Sequence, residues 1–223
     1  MPFSFADEFR PLFRGARAQA MGNAFTAIAD DEQAIFYNPA GLAGVRGFSL
    51  KMLSVSVEGS KDLVENTKTL QDAFSNAGLS SVNTVMGKNM YGRAQASSSL
   101  VMPRFGFVAF YDSQIAIRMK NLSMPTGMYG AQNTYGFQGG FGIPIYKFKR
   151  KRGELRLGVA GKLLWRAGGF ITPSVTDVLT VDTTALKGNM TQFGRGIGVD
   201  AGLQYVRTIK KKWTLMAGLA MTD

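Results

Sequence analysis

Phe193-Gly194-Arg195-Gly196-Ile197-Gly198-Val199-Asp200-Ala201-Gly202-Leu203-Gln204-Tyr205 is the stretch whose reading decides the fold. Phe193, Ile197, Val199, Ala201, Leu203 and Tyr205 alternate with Gly194, Gly196, Gly198, Asp200, Gly202 and Gln204. A period of two with one large apolar face and one small polar face is the mark of a β-strand between unlike environments. Gly194-x-Gly196-x-Gly198 is therefore not a phosphate loop, because such a loop needs a tight turn and a helix N-terminus where here the alternation continues. Glycines facing a crowded interior explain the run better.

The same pattern extends outward in both directions. Leu155, Leu157, Val159, Leu163 and Trp165 oppose Arg156, Gly158, Ala160, Lys162 and Arg166, while Tyr135, Phe137, Phe141 and Ile143 oppose Gly136, Gln138, Gly140 and Gly142. Trp213, Leu215, Ala217, Leu219 and Met221 resume it after Lys210 to Lys212. Phe105, Phe107, Ala109 and Tyr111 share a face, Asp112-Ser113 has the composition of a tight turn, and Ile115, Ile117 and Met119 share the next face, which predicts a hairpin. From Arg46 a looser alternation through Phe48, Leu50 and Met52 carries to about Val57. Between about 61 and 90, apolar residues recur at three- and four-residue spacings and predict two short helices in a loop insertion, broken at Gly78.

Several of these strands reach the roughly nine to eleven residues that a tilted strand needs to cross a bilayer. The connections alternate between short (112–113, 147–153, 208–212) and long (59–90, 122–130, 169–189), as in bacterial outer-membrane barrels. Tyr111, Tyr146, Trp165, Tyr205 and Trp213 stand where interfacial aromatic girdles would lie. A soluble β-sandwich also alternates, but it calls for shorter loops and not for Arg, Lys, Gln and Gly on one side of strand after strand. The fold expected is all-β: an antiparallel transmembrane β-barrel with about seven strands in residues 46–223, preceded by a segment of short helices in residues 1–45.

Composition agrees with that class. The 223 residues include 27 Gly, 45% hydrophobic and only 18% charged residues. No apolar run approaches the roughly 20 residues of a transmembrane helix, so a membrane-spanning form must be a closed barrel. Neither Cys nor His is present, which excludes thiolate nucleophiles, Cys and His zinc sites and a Ser-His-Asp triad; no enzyme activity, cofactor or metal is expected. The net charge of +11 invites a nucleic-acid reading. Its dense clusters, Lys147 to Arg152 and Arg207 to Lys212, instead fall between strand-like segments and are not interleaved with aromatics in a way that would make a stacking platform, so no nucleic-acid partner is expected. The acidic Asp30-Asp31-Glu32 reads as the solvated start of a short helix over Ala34-Ile35-Phe36, stopped by Asn38-Pro39.

Residues 15–43 carry a resemblance. Gly15-Ala16-Arg17 through Met21-Gly22-Asn23-Ala24-Phe25 to Ala29-Asp30-Asp31, followed by Asn38-Pro39-Ala40-Gly41-Leu42, resembles the N-terminal segment of the FadL/TodX-type outer-membrane transport superfamily and its PorV-type relatives. Pro103 opening one strand and Pro125-Thr126-Gly127 closing the next are similar to the same family, less distinctively. The resemblance implies a barrel of about fourteen strands with an N-terminal hatch in its lumen. It assigns Asn38, Pro39, Ala40 and Gly41 to the hatch, where Pro39 would fix the backbone, the Asn38 amide would satisfy backbone groups, and Ala40 and Gly41 would permit close packing. Asp200, on the small face, is expected to point inward toward an Arg or Lys, with Arg156, Lys162, Gln138 and Gln204 as further lumen-facing polar residues.

Relative to that pattern about half the strands are present, and Met1 to Glu8 lack the basic stretch, apolar region and cleavage site of a signal peptide. The expectation is a chain incomplete at its C-terminus, with its N-terminus open to the same question. The function expected is uptake of hydrophobic small molecules such as fatty acids across a bacterial outer membrane, in contact with its lipid and gated by the hatch. The alternative is a PorV-like platform or shuttle for secreted or surface-assembled proteins. A soluble basic β-domain that binds an anionic polymer stands third.

Overall fold

The computed structural model describes residues 13, 15–68, 87–120, 126–148, 153–171, 192–210 and 213–222. Seven antiparallel strands follow one another in chain order: β1 (Ser49–Gly59), β2 (Asn89–Met102), β3 (Phe105–Lys120), β4 (Thr126–Lys147), β5 (Gly153–Ile171), β6 (Gln192–Lys210) and β7 (Trp213–Met221). They form one sheet that curls into a half-barrel. The central strands are long, 22 residues in β4 and 19 in both β5 and β6. The edge strands β1 and β7 are exposed on both faces along most of their length.

Helices are few and short among the described residues. α1 (Ala16–Ala20), α2 (Ala34–Tyr37) and a 3-10 helix, Pro39–Gly44, belong to the N-terminal segment, and α3 (Lys61–Glu65) follows β1. The Ser60 hydroxyl accepts from the Leu63 N–H and caps α3. Leu63 lies over Gly92 on the outer face of β2. The second helix expected near Gly78 falls outside the described residues.

Two readings of the strands change. Asp112-Ser113 is not a turn: β3 runs unbroken through it, with Asp112 opposite Gln95 on one side and Thr134 on the other. The turn is at Pro103-Arg104, so Pro103 stands in a turn and opens no strand, while Thr126 begins β4 where the sequence suggested a strand's close. Arg104 takes a φ of 74°, as the second corner of a type II turn requires. Its N–H donates to Leu42 O at 3.2 Å, and its carbonyl accepts from Gly142 N–H at 2.8 Å; these bonds hold a non-glycine residue in the left-handed region. The expected total of seven strands thus survives with one strand wrongly divided and another, β2, unread. Two of the expected long connections stay long, 60–88 and 172–191, whereas the third contracts to 121–125, the same length as 148–152 at the opposite end, so the alternation of short and long fails there.

The looseness of β1 has a local cause. Its pairing with β2 slips between Lys51 and Ser54, a bulge that reverses which parity faces outward. Phe48 and Leu50 share the outer face with Val55 and Val57 only because of it.

Alternation has opposite consequences on the two faces. Outer positions of the central strands carry Phe105, Phe107, Phe137, Phe141, Leu163, Ile197 and Leu203, all exposed. Inner positions carry Asp112, Gln114, Thr134, Gln138, Lys162, Asp200 and Gln204, all 1% exposed or less except Lys162 at 4%. The apolar core lies in the N-terminal segment and where it meets the sheet: Ala18, Phe25, Ala29, Ala34 and Leu42 cluster with Val101, and Ile35 packs with Val108 and Ala160.

Candidate functional site on the concave face

The N-terminal segment sits on the concave face because three central strands lack side chains there. Gly142 is paired with Gly158, and Gly158 with Gly202, which leaves a row of bare backbone across β4, β5 and β6. A Cβ on Gly158 would collide with the Pro39 carbonyl carbon and the Ala40 nitrogen, and one on Gly202 with the Asn38 side chain. At Gly142 it would come within 2.7 Å of Ala43 N, and at Gly218 within 2.5 Å of Thr26 O. The 3-10 helix therefore rests against strand backbone, and only glycine permits that approach. Gly41 serves the same end within the segment, since a Cβ there would strike the Ala29 carbonyl.

Three side-chain amides link segment and sheet. Asn38 is fully buried; its Nδ2 donates to Thr26 O at 2.9 Å and to Leu203 O at 3.1 Å, and its Oδ1 accepts from Ala40 N–H at 3.1 Å. Gln138 Nε2 donates to Ile35 O at 2.9 Å and to Asp200 Oδ2 at 2.7 Å. Gln204 Nε2 donates to Ala27 O at 3.0 Å and Ala29 O at 3.2 Å, while its Oε1 accepts from Arg156 Nη1 at 2.9 Å. The carbonyls of Ala27, Ala29 and Ile35 are thus satisfied by sheet side chains and that of Thr26 by Asn38, as a buried segment requires.

The buried charges Lys162, Asp200, Arg93 and Asp112 on this face are paired. Lys162 Nζ lies 2.9 Å from Asp200 Oδ1, with both side chains 4% exposed or less. Arg93 Nε meets Asp112 Oδ1 at 2.5 Å, and Gln114 Nε2 donates to the other Asp112 oxygen at 2.6 Å. Arg156 also holds Glu154 on its own strand.

The structure brings the nine residues singled out from sequence, Asn38 to Gly41, Gln138, Arg156, Lys162, Asp200 and Gln204, onto one face. It adds Asp112 and Gln114, at the misread turn, and Arg93, on the unread strand β2. Asp30-Asp31-Glu32 differs from expectation in part. The Gln33 side chain at the N-cap of α2 makes no capping bond, but Asp31 Oδ1 accepts from the Gln33 N–H at 2.9 Å, so part of the expected role at the helix start remains. The acidic residues also form ion pairs: Arg17 Nη1 reaches Asp30 at 2.6 Å and Asp31 at 2.9 Å, while Glu32 pairs with Lys51 of β1. The hydrogen bonds to Asp30 and then Asp31 raise the Arg17 pKa above its ordinary value. Among the described residues no group of acidic side chains could hold a metal ion.

No protein-family profile, curated protein or solved structure matches the chain.

Proposed function

We propose that this sheet is part of the wall of an outer-membrane β-barrel, that residues 15–45 are a hatch in its lumen, and that the barrel takes up hydrophobic small molecules. One observation carries the membrane reading: the faces are inverted relative to a soluble protein. Tyr111, Tyr135 and Trp165 share one row that ends in Arg195 on β6, and between that row and Tyr146, Phe148 and Tyr205, which cluster at the short-turn end, the outer positions of β3 to β6 bear no charged side chain. Tyr135 and Tyr146 stand eleven positions apart on β4. At about 3.3 Å per residue and a tilt near 45° that spans a height of roughly 26 Å, against the ~25 Å apolar band of outer-membrane barrels.

The hatch reading rests on the seat just described and on the resemblance of Gly15–Asp31 and Asn38–Leu42 to the FadL/TodX-type segment, the part that occupies the concave face. Asn38→Ala tests it in the complete protein. Each lost hydrogen bond is worth about 0.5–1.5 kcal/mol, enough to shift a hatch equilibrium by about two- to twelvefold and too little to open a barrel. Faster uptake or leak, with heat-modifiable migration retained, is the expected result; unchanged uptake and leak would refute gating by this turn.

A second reading is favoured by the closeness of that seat. A segment pressed onto bare backbone and bonded at three amides suits a static plug, and hence a platform for secreted or surface proteins. Capture of such a protein by the outer loops without any ligand uptake would establish it.

A further inference from the structure

At the β1–β2 side the N-terminal segment stands off from the sheet and leaves a cleft of about 240 Å³. Its wall is unlike the rest of the concave face. Ser54 is paired with Ser97, Ser56 with Gln95 and Lys51 with Ser99, so inner positions of two strands present hydroxyl groups in rows. Ser54, Ser56, Ser97 and Ser99 all line the cleft, Ser54 exposed, Ser56 and Ser97 half-buried and Ser99 only 6% exposed. Opposite them Gln33 lines the cleft, and its Oε1 is buried without a partner. A buried polar atom in a folded protein is nearly always satisfied, so the buried Gln33 Oε1 beside hydroxyls that open into the same cleft marks a place for something that supplies hydrogen bonds.

We propose that this cleft binds a small neutral polyhydroxylated molecule, of the size and chemistry of one sugar ring. Charge selects the class: Lys51 and Glu32 are the charged residues that line the cleft, and they pair with each other, leaving no net charge to attract an ion. Size selects within it, because about 240 Å³ falls below the ~300–1,000 Å³ of drug-sized sites and suits one ring rather than a chain. Phe13 and Phe36, stacked at 3.9 Å, give the cleft a rigid apolar wall against which the C–H face of a sugar can lie. The ligand would touch segment and sheet at once, so binding holds the segment in place.

The test is titration of D-glucose into the complete protein in a sugar-free detergent, followed by ligand-observed NMR. Saturable binding in the millimolar range is expected, weakened about two- to tenfold for each hydroxyl removed in Ser97→Ala and Ser99→Ala. Ser98→Ala, on the outer face, should leave it unchanged, and Ser97→Thr should restore it. Heat-modifiable migration of each variant shows that the barrel is intact. Absence of saturable binding by the wild type, meaning a cleft filled by water only, overturns the proposal, as does binding that neither inner serine affects.

Discussion

Lys162 and Leu163 are neighbours on β5, yet they occupy opposite worlds. Lys162 is buried against Asp200 on the concave face, whereas Leu163 is 45% exposed on the convex one. Within a soluble sheet the assignment would be reversed, because burial of apolar surface drives folding and charge stays in water. Here polarity and glycine face the packed interior while the large apolar residues face outward. Burial of side chains from water by the protein itself cannot be what holds the outer face. The inner face is held by close backbone approach and by hydrogen bonds satisfied from both sides.

Breaking the inner side should cost most. Lys162→Met keeps the volume but strands the Asp200 charge, and removal of one partner of a buried pair costs about 3–5 kcal/mol. Urea unfolding of the complete protein in lipid vesicles measures it, and Lys162→Met combined with Asp200→Asn should recover most of the loss. If the single variant is as stable as wild type, the buried pair is not structural. Leu163→Arg, one residue along, should cost about 2–4 kcal/mol in the same assay, the value for a charge at the midplane of a barrel's lipid face. In a sheet whose outer face meets water it would cost less than about 0.5 kcal/mol.

The smallest effects sharpen the comparison with one methyl group. Gly158→Ala pushes a Cβ into the Pro39–Ala40 backbone, and overpacking of that kind costs about 1–3 kcal/mol. Faster proteolysis of the N-terminal segment should accompany the loss. At Gly161, three residues on and facing outward, an added Cβ meets nothing within 4 Å, so Gly161→Ala should stay within about 0.5 kcal/mol of wild type. Equal responses at the two glycines would remove the row of bare backbone at Gly142, Gly158 and Gly202 as the seat of the segment.

Much of this could be read from the sequence where the two faces differ in kind. β4, β5 and β6 alternate large apolar residues with glycine or charge, and their inner and outer sets were legible residue by residue. β2 was not, because Gln95-Ala96-Ser97-Ser98-Ser99 places hydroxyls and small residues on both faces and carries no apolar period. Asp112-Ser113 was misread because a carboxylate followed by a hydroxyl is turn composition in water; inside this sheet Asp112 is the partner of Arg93 across the strand pair. The bulge near Met52-Leu53 hid the phase of β1 for a different reason, since a slip of one residue exchanges the faces. Of the site, Asp200 was legible as a charge on the small face of its strand, and Asn38 was named only through the resemblance of its segment. That Gln138 and Gln204 each join a wall charge to a carbonyl of the segment was not, because those pairs lie 103 to 177 residues apart.

Outward-facing apolar positions in contact with lipid are the centre of this account, and the absence of native Cys allows them to be probed one at a time. Single cysteines placed from Leu157 to Trp165 along β5 in the complete protein, reconstituted in vesicles, would carry spin labels whose collisions with oxygen and with a water-soluble nickel chelate are compared. Odd-numbered positions should favour oxygen and even-numbered positions should not, with a period of two along the whole strand. Equal access of the nickel chelate to the odd-numbered positions would show that this face meets water, and would contradict the membrane reading outright.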